Sequence, residues 1–129
     1  MKRIIAIVLL SLILAGSLVY EQIFINDSVS ILKTKCQDVY DTIHNSTEID
    51  DENTIKKVSE LNDFWSNRES QLCLIINHKD MEKVGEQIVK VLTFCKQNDL
   101  KQAIYEVDLL KYYTDGYEHI IKVTFQNIW

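Results

Sequence analysis

The chain has no proline and only three glycines, Gly16, Gly85 and Gly116, in 129 residues. Sheets and long loops draw on such residues for their turns, so their scarcity argues against both and favours an all-helical protein. A basic cluster is also missing. After position 25 there are 12 Lys and Arg against 18 Asp and Glu, within a chain of net charge −5. That balance repels a phosphate backbone and argues against nucleic-acid binding. No HExxH, CxxC, P-loop, GxSxG or GxGxxG pattern occurs, and we expect a protein that is not an enzyme and carries no cofactor.

What is present begins at the N-terminus. Lys2 and Arg3 precede an uncharged apolar run from Ile4 to Tyr20, and Ile23, Phe24 and Ile25 extend it past Glu21. Seventeen residues is the short end of what spans a bilayer. The expectation is an anchor over residues 4–25 in membrane lipid. The alternative is a secretory signal peptide cut near Ala15-Gly16-Ser17, which would leave a secreted domain. Ser17 stands where a lipoprotein would need cysteine. Lys2 and Arg3 orient an anchor with Met1–Arg3 in the cytoplasm and residues 26–129 outside.

The rest divides into amphipathic stretches. Val29, Leu32, Cys36, Val39 and Ile43 form one apolar stripe. A second helix is expected from about Glu48 to about Ile76, with Ile55, Val58, Leu61, Trp65 and Leu72 on its inner side. Thr47 and Asp50 have capping-box spacing at its start, and Asp50, Asp51 and Glu52 suit a positive helix end. The same acids lack the alternating ligands and central glycine of a calcium loop. Asn45-Ser46-Thr47 has the form of a glycosylation sequon, a pattern common by chance. A third helix spans DMEKVGEQIVKVLTFCKQ from Asp80. A fourth starts near Asp99 and carries a kink or break at Asp115-Gly116. Short turns between long helices make neighbours antiparallel. The expected fold is a transmembrane helix followed by a bundle of about four helices, or two stacked hairpins.

The stretch LCLIINHKD, residues 72–80, stops an apolar run abruptly. Trp65 and His78 would be about 20 Å and roughly 140° apart on one helix, too far for a shared site. We therefore read Asn77, His78 and Asp80 as a helix corner. His78 and Lys79 lie where positive charge suits a helix end, and Asn77 or Asp80 caps the next helix. No metal partner for His78 is apparent nearby. Asp41 and His44 share a helix face, but the repeated Glu-x-x-His of di-iron bundles is missing. Glu118 and His119 are adjacent and diverge. All three cysteines are expected to be small buried hydrophobes. Cys36 and Cys95 are the pair that could share a level and bond, although an odd count gives no clear framework.

Tyr112, Tyr113, Tyr117, Phe125 and Trp129 gather near the C-terminus. At near-helical spacing they suit a core. Tyr112 and Tyr113 cannot both face inward, so this segment is the expected contact surface for the bundle, a second copy or the bilayer.

Leu61 to Trp65, then Ile75-Ile76-Asn77-His78, then Leu109-Leu110-Lys111 and a closing Gln126-Asn127-Ile128 resemble an uncharacterised family of small membrane-anchored proteins from clostridia and related Gram-positive bacteria, described as a domain of unknown function. The family usually has an acidic residue before the histidine, where Asn77 stands here, and tolerates a proline in the last helix that this chain lacks. The resemblance implies a location and a helical shape, and brings no catalytic residue. The expected function is a non-enzymatic interaction or adaptor module that binds another membrane or envelope protein, or itself. The alternative is an extracytoplasmic sensor holding a small ligand among groups such as Tyr113 or Tyr117.

Overall fold

The structure, a computed structural model, describes residues 1–126, with side chains described through Tyr117. Four helices occur in it: α1 Lys2–His44, α2 Glu52–Leu72, α3 His78–Lys96 and α4 Leu100–Gln126. The protein is all-α, as expected. α1 packs on α2 and α4, and α3 packs on the same two, while no Cα of α1 lies within 8 Å of α3. The helices thus stand at the corners of a square, with α1 and α3 on a diagonal.

α1 is one unbroken helix of 43 residues, about 65 Å long. Its halves differ. From Ile4 to Tyr20 every residue is exposed, and this half is long and apolar enough to cross a membrane or to serve as a signal sequence. The hydroxyls of Ser11 and Ser17 donate to the carbonyls of Ile7 and Leu14, each at 2.9 Å. Both serine hydroxyls of this half are therefore satisfied within the helix. From Ile25 onward the expected stripe Val29, Leu32, Cys36, Val39 and Ile43 is buried.

The core continues through Val58, Leu61, Trp65 and Leu72, then Met81, Val84, Ile88, Val91 and Cys95, and into Ala103, Val107, Leu110 and Tyr117. Arg68 clamps α2 to α1. Its guanidinium lies 5.0 Å from the Phe24 ring and 5.4 Å from the Phe64 ring, and it donates to Ser28 at 3.1 Å.

Several boundaries differ from expectation. α2 begins at Glu52 because Ile49 is fully buried and draws residues 45–51 into a loop. Its cap is therefore Asp51, which accepts from the Thr54 N–H at 3.0 Å, and not Thr47. α2 also ends at Leu72, four residues before Ile76. α4 runs through Asp115-Gly116 without interruption. The Gly116 backbone has open space around it and no neighbour to force a break.

Candidate functional site at the α2–α3 corner

The corner between α2 and α3 lies at the end of the bundle where the exposed half of α1 departs. Tyr20 and Phe24 of α1 line an open cleft of about 280 Å³ together with Gln71 and Ile75. Leu74 and Ile75 project into solvent, Leu74 being 89% exposed. These are the most exposed apolar side chains of the bundle's loops, and they sit beside the base of the apolar helix.

Local chemistry explains how the corner turns. α2 stops at Leu72, whose carbonyl accepts from the N–H groups of both Ile75 and Ile76 at 2.9 Å. Asn77 then caps α3, its side chain accepting from the Lys79 N–H at 3.1 Å. His78 and Lys79 consequently open α3. They occupy the positive end of a helix, not the negative end expected for them, and Asp80 shares that first turn. Glu82 offsets the His78 position: its carboxylate is 2.7 Å from His78 Nε2, one helical turn on.

The early end of α2 has a second consequence. Cys73 and His78, five residues apart, face one another across the turn, with Sγ and Nδ1 separated by 3.1 Å. Glu69 lies one turn before Cys73 on the same face. One donor atom each from Glu69, Cys73 and His78 falls within 4.8 Å of the others. The His78 ring thus has partners on both nitrogens. With the Nε2–H donated to Glu82, Nδ1 is left as an acceptor for the thiol. Glu69 and Cys73 are half-buried and His78 is exposed, so the group opens to solvent.

Below it lies Tyr117 of α4, only 6% exposed, whose hydroxyl is buried without a hydrogen-bond partner among the described residues. Burial raises its phenol well above the ordinary value, and Asp80, Glu69 and Cys73 raise it further. Tyr117 therefore belongs to the interior beneath the corner and not to an exposed aromatic face, because its side chain is buried as part of the apolar core. Tyr112 is 74% exposed and Tyr113 half-buried, their rings 6.0 Å apart. The side chains of Phe125, Glu118 and His119, and all of Trp129, lie outside the described residues.

The other candidates resolve as structural contacts. His44 does not pair with Asp41; its Nε2 is 2.8 Å from Asp108 of α4, and its ring packs on Tyr40 with centroids 4.2 Å apart. All three cysteines are free. Cys36 and Cys95 are buried, and burial lifts their thiols to about 12 and about 11. They sit on diagonal helices, and a disulfide needs Cα atoms within about 7 Å, so the pairing weighed for them is excluded by the geometry. Cys73 departs from the expected pattern, being half-buried and in contact with a histidine.

Sequence reasoning passed over Glu69 and Cys73. The available signal was Glu-x-x-x-Cys followed five residues later by His, and it was obscured by expecting α2 to continue to Ile76. On a continuous helix Cys73 and His78 would point roughly 140° apart.

Neither a curated protein nor a solved structure matches the chain. The model of a domain of unknown function, DUF4363, matches residues 19–128, which spans the second half of α1 and the whole of the bundle, and the chain belongs to that family.

Proposed function

We propose that this protein is a non-enzymatic, single-pass membrane module, anchored by residues 4–25, with its helical bundle on the outer face of the cytoplasmic membrane. The bundle acts by binding another membrane or envelope protein, or a second copy. The observation that carries this reading is the continuity of α1: the exposed apolar half and the buried half are one rigid helix, with no linker between them. A signal sequence destined for removal has no need to share a helix with the core. Lys2 and Arg3 favour the orientation. A contact face is supported by α4, where Tyr105 and Tyr112, seven residues apart and on one side, are 60% and 74% exposed. Tyrosine is enriched in protein interfaces.

Chemical crosslinking of the full chain in its own membranes, read by mass spectrometry, tests the reading. Reproducible crosslinks to one membrane protein or to itself are expected, with peptides from α4 among them. Recovery of a shortened soluble chain with only scattered products would overturn anchor and adaptor together and bring the small-ligand sensor forward.

A further inference from the structure

We propose that Glu69, Cys73 and His78 form a binding site for a zinc-type divalent cation at the α2–α3 corner, with Glu82 holding the histidine ring by its other nitrogen.

The donor set selects the metal. A thiolate, an imidazole and a carboxylate suit Zn²⁺, whereas Ca²⁺ and Mg²⁺ require six or more oxygen ligands. Zinc bond lengths at a tetrahedral angle place neighbouring donors about 3.3–3.6 Å apart. Cys73 Sγ and His78 Nδ1 stand at 3.1 Å, and all three donors lie within 4.8 Å of one another. Closing the site therefore asks for a shift of about 1 Å in the Glu69 side chain, which rotation about its own bonds supplies. Binding displaces the thiol proton to solvent, and the sulfur electron pair forms the bond to the metal.

Two features outside the three donors support the assignment. The first is the contact of 2.7 Å between His78 Nε2 and Glu82. Metal-ligating histidines commonly donate their second N–H to a carboxylate, which fixes the ring and its tautomer. Here that arrangement leaves Nδ1 facing Cys73. The second is Tyr117. A hydroxyl buried without a partner is costly and rare in a native core. This one, buried and without a partner among the described residues, lies in the field of Asp80, Glu69 and Cys73. Three protein donors leave a fourth position for water, and such a water is a natural partner for the Tyr117 hydroxyl. The site also sits on two helix ends joined by a four-residue turn, from Cys73 to Ile76 before the Asn77 cap. Occupation would lock the corner beside the base of the apolar helix.

The test is a Co²⁺ titration of the full chain, reduced and in detergent, read by absorbance, with Zn²⁺ as competitor. We expect one Co²⁺ per chain, a sulfur-to-cobalt charge-transfer band, intense tetrahedral visible bands, and loss of both on adding Zn²⁺. Cys73→Ser should abolish the charge-transfer band, whereas Cys36→Ser and Cys95→Ser should keep it. Glu82→Gln should keep the band and weaken affinity about 10–100-fold. His78→Gln, at an exposed position, should weaken binding at least as much with the helical circular dichroism unchanged. A folded, reduced wild-type chain that gives no charge-transfer band would overturn the proposal. So would a band that survives Cys73→Ser or is indifferent to His78→Gln.

Discussion

At the end of the bundle far from the apolar half of α1, the two loops are tied into one another. Ile49 is fully buried, and its N–H donates to the Asn98 side chain at 3.0 Å. Asn98 adopts φ 52°, and the N–H groups of Asn98 and Asp99 return to the carbonyls of Cys95 and Phe94, each at 3.0 Å, in a Schellman arrangement. Asp51 and Asp99 then cap α2 and α4. At the opposite end, Leu74 and Ile75 are exposed, a thiol faces a histidine, and a buried tyrosine hydroxyl has no partner among the described residues. One end has satisfied its polar groups and hidden its apolar ones. The other leaves apolar side chains in solvent and one buried hydroxyl unpaired among the described residues, which is the pattern expected where a protein meets a ligand or a surface.

The sharpest way to break this contrast is to truncate an apolar residue at each end. Ile49→Ala should destabilise by about 2–4 kcal/mol, as for other fully buried aliphatic side chains, whereas Leu74→Ala should stay within about 0.5 kcal/mol. Urea unfolding of the two variants measures both; equal losses would mean the two ends are alike. Next in size is Asn98. Asn98→Ala removes the bond to Ile49 and places alanine in the left-handed region, for a cost of about 1–3 kcal/mol. Asn98→Gly keeps the backbone comfortable and should lose only the hydrogen-bond part, so the difference between the two variants isolates backbone strain.

A smaller effect concerns alkaline pH. Cys36 and Cys95 have folded values of about 12 and about 11, above the ordinary 9.0. A group raised in the folded state contributes its full stability below pH 9 and loses it as pH climbs towards the folded value. Melting should therefore fall above pH 9 with a slope of at most about 1.4 kcal/mol per pH step for each thiol. Cys36→Ala and Cys95→Ala should each flatten that slope, and an unchanged slope would show that the thiols are not the groups responsible. The smallest effect has the opposite sign. Tyr117→Phe removes a buried hydroxyl that has no partner among the described residues and should stabilise the metal-free chain by about 1 kcal/mol. A loss of stability would mean that the hydroxyl already has a partner, and the two ends would then differ less than described.

Much of this was legible from residue order. The stripe from Val29 to Ile43 and the spacing of Met81, Val84, Ile88, Val91 and Cys95 repeat at three and four, and each of those residues is buried. Trp65 and Leu61 likewise lie in the core. The starts and stops were less legible. Thr47 and Asp51 both carry capping chemistry, and the choice between them rests on whether Ile49 is pulled into the core. Asp115-Gly116 reads as a break, yet α4 continues because its preceding turns are held by Leu110 and Thr114 in the interior. The tyrosines of α4 were legible as a group but not as individuals, since burial of Tyr117 and exposure of Tyr112 depend on which side of α4 meets α3.

The sequence by itself determined that the chain is helical, that its first twenty or so residues form an apolar helix, and which face of each later helix turns inward. Those properties follow from periodicity and from the scarcity of proline and glycine, which are local. Only the tertiary structure decided that α1 is one continuous rod and that Cys36 and Cys95 stand on a diagonal. It also decided that Glu69, Cys73 and His78 meet at one corner, with the buried Tyr117 in the field of the first two. Those outcomes depend on where a helix stops to within one turn, and that is set by the burial of residues distant in the chain.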